Sequence, residues 1–154
     1  MAAVSLSTLD SAIGTRISAQ LSGFTEVNTV ASLLRAPSSI IDKGFVIRLP
    51  AAVSLDGSSS GLRQAALSRI QVDLTIEFSR KINPKSQATT RRTAEGNCED
   101  IVKALIDRAW TGALVSGSGG PRFVFRNYRL EYSELGEAVI GIILFSMTYE
   151  LSLA

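Results

Sequence analysis

The clearest pattern along the chain is a strict alternation. In RIQVDLTIEFSR, Ile70, Val72, Leu74, Ile76 and Phe78 fall on one side and Gln71, Asp73, Thr75, Glu77 and Ser79 on the other. A period of two is what a half-buried β-strand requires. The polar side is expected in water or against a polar partner surface, because burying Asp73 or Glu77 unpaired costs on the order of several kcal/mol. A second long pattern closes the chain. AVIGIILFSMTYELSL puts Val139, Ile143, Phe145, Met147, Tyr149 and Leu151 on one face, while the other begins apolar (Ile140, Ile142, Leu144) and ends polar (Ser146, Thr148, Glu150). Its first half is expected to be buried on both faces, as in a central strand. At about 3.3 Å per residue it reaches on the order of 45 Å, and its far end is expected to pair or pack outside its own subunit. Just before it, the apolar parity of RFVFRNYRLEY shifts from Phe123 and Phe125 to Tyr128, Leu130 and Tyr132. That shift predicts a bulge near Arg126 and Asn127, with a turn at residues 134–137 joining the two strands.

Helical spacing appears twice. Leu6, Leu9, Ile13, Ile17 and Leu21 predict a helix over 7–22, with Ser5 or Ser7 as cap and Gly23 at the left-handed position after it. Gly14 weakens that helix by about 1 kcal/mol unless a close neighbour needs the missing side chain. Cys98, Ile101, Val102, Leu105, Ile106 and Ala109 predict a second helix over 98–110, capped by Asn97 with Asp100 three positions on. Short strands are expected at 27–34 and 45–49. SLDGSSSG at 54–61 and SGSGGP at 116–121 have the composition of flexible loops, and the polar, basic stretch at 80–95, broken by Pro84, predicts a long exposed loop.

These elements make one α+β domain over 1–154, a mixed, largely antiparallel sheet with two main helices packed on one face. The length of 154 residues and 45% hydrophobic content suit a single core. Sixteen basic residues against 14 acidic ones are too balanced to imply a polyanion partner. The distribution is less even: seven basic residues lie between 62 and 92, and Glu134, Glu137 and Glu150 are the charges from 133 onward. Cys98 stands alone, so no intrachain disulfide is possible and an intracellular setting is the default. The first residues lack the features of a signal peptide, and the most apolar stretch, at 138–147, is far shorter than the roughly 20 residues a membrane helix needs.

Candidate chemistry is sparse. The chain has no histidine, on which triads and metal sites most often lean, and a single cysteine excludes four-cysteine zinc. Neither glycine-rich stretch has the phosphate-loop pattern. Glu99 and Asp100 suit a helix start better than a catalytic pair. Cys98 is better read as a small buried residue than as a nucleophile, and Trp110 as core or interface. No catalytic, cofactor or metal site is therefore expected. The basic residues Arg80, Lys81, Lys85, Arg91 and Arg92 admit three readings: a solvated loop, a protein-docking loop, or a nucleic-acid contact, the last weakened by the absence of interleaved aromatic residues.

The order of elements resembles that of the tail terminator proteins of long-tailed bacteriophages. The likeness lies in LSTLDSAIGTRISAQL, RIQVDLTIEF, the polar loop with Pro84, NCEDIVKALIDRAW and the closing hairpin RNYRLEYSELGEAVIGIILFSMTYEL. It implies a sheet with helices packed on it, and six copies in a ring that sits on the last ring of tail tube protein, ends tube growth and meets the neck or head-completion protein. Genomic DNA would pass through the lumen without being read. The resemblance places the protein in the virion, at the head-proximal end of the tail, after synthesis in the host cytoplasm. It implies no cofactor, no enzyme activity and no membrane. Beside it, the basic residues named above together with Tyr149, Leu151 and Leu153 form the candidate docking surface. The alternatives are another neck or tube ring protein, a nucleic-acid-binding α+β module, or a small enzyme using Ser, Lys or Tyr.

Overall fold

The computed structural model describes residues 5–27, 42–49, 52–54, 67–114, 120–134 and 136–152, with backbone alone at 52–54, 67–68 and 151–152. Most of the expected strand at 27–34 and most of the two glycine-rich loops lie outside these residues. The elements are α1 (Leu6–Gln20), β1 (Thr25–Glu26), β2 (Gly44–Arg48), β3 (Ala52–Ser54), β4 (Leu67–Lys81), α2 (Gln87–Ile106), α3 (Arg108–Ala113), β5 (Arg122–Tyr132) and β6 (Ala138–Ser152). They form an α+β fold. One six-stranded sheet runs in the order β1-β2-β4-β6-β5, and β3 pairs with β4 further along the side that β2 occupies. β1 and β2 are parallel and every other pair is antiparallel.

The alternating pattern places the core. Val72, Leu74, Ile76 and Phe78 of β4 and Val139, Ile143, Phe145, Met147 and Tyr149 of β6 share one buried cluster with Leu9, Ile13 and Ile17 of α1 and Ala94, Cys98, Ile101 and Leu105 of α2. Both main helices therefore cover the same face. Gly141 of β6 stands opposite Phe78 of β4, and the missing side chain lets the Phe78 ring lie across the strand. The bulge in β5 falls where the parity shift puts it, between Phe125 and Asn127. In the turn before β6, Ser133 Oγ accepts hydrogen bonds from the backbone N–H of Glu137 and of Ala138, and Gly136 takes a positive φ of 69°.

α1 is capped at Ser5, whose Oγ accepts from Thr8 N–H at 3.1 Å, and Gly23 adopts the left-handed conformation at φ 81°. Gly14 has the close neighbour its place in the helix requires: a Cβ there would lie 2.6 Å from Glu26 Oε2.

Three expectations need correction. The stretch at 80–95 is not one loop. Arg80 and Lys81 end β4, Lys85 sits in a turn after Pro84, and α2 begins at Gln87, so Arg91 and Arg92 are helical. The stripe Cys98, Ile101, Leu105 continues upstream through Ala94 and Thr90. The threonines fit because Thr90 and Thr93 donate their hydroxyls to the carbonyls of Ser86 and Thr89, four residues back. Ser86, not Asn97, precedes the first turn; Asn97, Glu99 and Asp100 are mid-helix. At its other end α2 stops at Ile106, because Asp107 turns to extended backbone and its Oδ1 accepts from Ala109 N–H to open α3, which holds Trp110.

The second correction concerns the polar side of β4. Asp73 is exposed, but Glu77 is 3% exposed and Ser79 is buried. Arg48 of β2 lies beside Glu77 at 3.2 Å, which offsets the loss of water around the carboxylate. On this second face Val46, Ala138, Ile140 and Ile142 form a smaller cluster joined by Val27 and Leu144, so the first half of β6 is indeed buried on both sides. Third, the far end of β6 has a strand partner in its own chain on one side, since Tyr149, Glu150, Leu151 and Ser152 register against β4 from Ile70 back to Leu67, while β5 reaches it only as far as Thr148.

Two glycine substitutions separate helix propensity from packing. A Cβ at Gly96, inside α2, meets nothing within 4 Å, so Gly96→Ala is expected to stabilise by roughly 0.5–1 kcal/mol in urea unfolding. Gly141→Ala drives a methyl group into the Phe78 ring and is expected to destabilise by roughly 1–3 kcal/mol in the same measurement.

Candidate protein-interaction surface

The residues singled out from the sequence lie on several elements. Arg80 Nε lies 3.6 Å from Asp42 Oδ1, and the same carboxylate oxygen accepts from Lys81 N–H at 2.9 Å. Lys85 is exposed in its turn. Arg91 pairs with Glu95 one helical turn on, at 3.5 Å, while Arg92 is exposed on the same helix. Exposed pairs of this kind add little stability. Tyr149 belongs to the core cluster, and burial pushes its phenol above the ordinary value. Leu151 is described only as a backbone partner of Ser68, and Leu153 lies outside the described residues. The expected basic docking loop is thus carried by a strand end, a turn and a helix instead of one irregular segment.

A different surface emerges at the edge of the sheet. Among the described residues β5 pairs with β6 alone, so the outer backbone edge of an eleven-residue strand has no neighbour. Such an edge is a template for another chain, and natural sheets usually cover or blunt it. Here it is blunted in part by the bulge and by Arg122, Arg126 and Arg129. It also carries apolar side chains: Tyr132 is 62% exposed, and Val124, Phe125 and Tyr128 are exposed as well. The rings of Phe125 and Tyr128 pack 6.2 Å apart. Beside the start of β5, a half-open groove of about 690 Å³ runs along α3, with Ile106, Phe125 and Pro121 among its apolar walls and Arg108 and Arg122 among its polar ones.

The junction of α2 and α3 is held by one arginine of α1. Arg16 of α1 donates from Nε to the Ala104 carbonyl at 3.1 Å and from Nη2 to Asp107 Oδ2 at 3.0 Å, and its guanidinium lies 5.3 Å from the centre of the Trp110 ring. It thereby satisfies a carbonyl that the end of α2 leaves open and ties down the residue that opens α3. Trp110 in turn stacks on Phe123 of β5, ring centres 5.6 Å apart.

At the opposite edge of the sheet Glu26 lies against α1 beside Gly14, within electrostatic reach of Asp10. Burial pushes the Asp10 carboxyl above its ordinary value; burial, and then the charge of Asp10, do the same to Glu26 of β1. Asp10 Oδ1 is buried without a hydrogen-bond partner. Elsewhere Cys98 lies fully inside α2, and burial followed by the charges of Glu95 and Glu99 pushes its thiol up to about 12. Among the described residues no group of three or more His, Cys, Asp or Glu is placed to hold a metal ion, and no helix is long and apolar enough to cross a membrane.

No protein-family model and no curated protein matches this chain. Among solved structures, one similar chain is a crystal structure from Akkermansia muciniphila, 14% identical with a TM-score of 0.32 over 70% of this chain and 41% of that one. This chain thus spans less than half of that protein, and so loose an overlap carries no argument about fold or role.

The carboxylate pair predicts a pH signature. A carboxyl with a raised folded-state pKa binds its proton more tightly when folded, so its contribution improves as pH falls through that pKa and is unfavourable above it. Asp10→Asn is therefore expected to raise the thermal midpoint at pH 7, with the gap to the wild type closing as pH is lowered into the carboxylate range. A gap that stays constant with pH counts against the pair. For Cys98, an aromatic disulfide reagent is expected to react only as fast as the protein unfolds, because a buried neutral thiol is not a nucleophile; reaction in native buffer at the rate of a free thiol contradicts that placement.

Proposed function

We propose that this chain is a structural protein of a long-tailed phage, a tail terminator whose copies, six to a ring, cap the tail tube, end its polymerisation and present the head-proximal surface to the neck. The observation that carries the reading is the uncovered edge of β5. Among the described residues, eleven residues of sheet edge have no strand partner, and Tyr132, Tyr128, Phe125 and Val124 are exposed along it, a surface suited to assembly more than to chemistry. The family resemblance supports the reading through four of its parts: a capped first helix, a long alternating strand, a central helix and a closing hairpin that ends in a second fifteen-residue strand. In this role the tube protein and the neck protein are the partners, DNA passes the ring without sequence recognition, no cofactor or catalytic residue takes part, and the protein resides at the head-proximal end of the tail.

A tube or neck protein would share the edge but differ in outcome, since a tube protein stacks indefinitely and a terminator stops growth at a closed ring. Incubation with isolated tail tubes of its own virus, imaged by negative stain, is expected to show a ring on one end of each tube and no further elongation when tube protein is added. Tubes that remain bare, or that continue to grow through the added protein, rule the terminator role out.

A further inference from the structure

The two edges of the sheet carry opposite charges that the chain leaves unmatched among its described residues. At the β5 edge, Arg108 and Arg122 border the groove with no carboxylate at ion-pair distance, while Ile106, 46% exposed, and Phe125, 37% exposed, stand as apolar knobs in it. At the β1 edge, Asp10 and Glu26 have no cation at that distance and repel one another. Beside them α1 presents the small exposed side chains of Ser11, Thr15, Ser18 and Ala19 around Gly14. Knobs with a cationic border fit a smooth anionic face, and bulky or basic surfaces do not. Because β1 and β5 terminate the two ends of one strand order, the two surfaces cannot meet within a copy.

We propose that a second copy of this chain fills the α3–β5 groove with its α1–β1 corner, so that Arg108 and Arg122 of one copy face Glu26 and Asp10 of the next. The inference rests on the assembly reading above and adds to it the surfaces that meet. Arg108 and Arg122 of the neighbouring copy supply Asp10 and Glu26 with the cations they lack among the described residues of their own copy. The contact joins different patches on the two copies, so it repeats head to tail, and rotation between copies decides whether it closes into a ring. Charges at a partly exposed contact are screened by salt, and association weakens as salt rises.

Charge exchange in the full chain, followed by sedimentation and native mass spectrometry, tests this. Wild type is expected to associate. Arg122→Glu and Glu26→Lys are each expected to weaken association at least tenfold, since each sets like charges against one another. Mixing the two variants restores it with copies alternating one to one, and so does combining both changes in one chain. Arg108→Glu repeats the first arm from a helix position, and thermal unfolding of each variant verifies that it is folded. The proposal is overturned if the single variants assemble like wild type, if neither mixing nor combination restores assembly, or if wild type is monomeric at about 1 mM, where even a weak contact of roughly 4 kcal/mol is half occupied. Rings that form and cap tubes regardless of these substitutions remove the interface and leave the terminator reading; assemblies that obey the charge exchange but ignore tubes do the reverse.

Discussion

The pairing of β4 with β6 is the constraint on which the rest of the molecule depends. Fifteen successive residues of each strand are in antiparallel register, from Leu67 opposite Ser152 to Lys81 opposite Ala138. Side chains alternate between faces, so a slip of one residue would move Val72, Leu74, Ile76 and Phe78 from the helical side to the other and bring Asp73 and Glu77 under the helices. That error is costly enough to hold a single register. Once it is held, Gly141 must meet Phe78, α1 and α2 must cover the even residues of β4, and β2 and β5 are left the two flanks. The apolar first half of β6 needs cover on both sides, which the cluster around Val46 and Ile140 provides.

Closure of the helical layer depends on polar groups that do two jobs. Asp107 ends one helix, opens the next and receives Arg16 from α1. Arg16 also satisfies the Ala104 carbonyl and lies over Trp110, so one side chain joins α1, α2 and α3 above the β5 flank. The opposite flank is arranged differently. There the missing side chain of Gly14 lets Glu26 approach α1 closely, where burial and then the charge of Asp10 raise its carboxyl above the ordinary value. One edge is thus rigid, apolar and cationic, the other smooth and anionic. A monomer optimised only for its own stability would not be expected to keep both unsatisfied.

Much of this was legible in the order of residues. Strict alternation located β4 and β6, the parity shift in β5 marked the bulge to the residue, and Ser5 and Gly23 marked the ends of α1, because each of these is dictated by local backbone geometry. The start of α2 was missed for a physical reason: Pro84 and a run of polar, basic residues look like a loop, and the stripe that continues the helix upstream consists of Thr90 and Ala94, too small to register as a hydrophobic face. The break at Asp107 was equally silent, since a stripe running on to Ala109 hides a change of direction made by one ψ angle. The candidate surface was the least legible feature. The basic residues close in sequence fell on a strand end, a turn and a helix, while Arg108 and Arg122, fourteen positions apart with a glycine-rich stretch between them, were brought to one groove.

By itself, then, the sequence determined what local periodicity and backbone chemistry control: the two long strands and the first helix, the apolar face of each, the turn and bulge of the closing hairpin, and the α+β class. Tertiary structure alone decided what depends on neighbours far along the chain. It decided that Glu77 is buried beside Arg48, that Tyr149 is core, that the end of β6 pairs with β4, and that β5 stands at one edge of the sheet among the described residues. An edge is a property of sheet order, and sheet order follows from long-range register and helix cover, which no window of neighbouring residues contains.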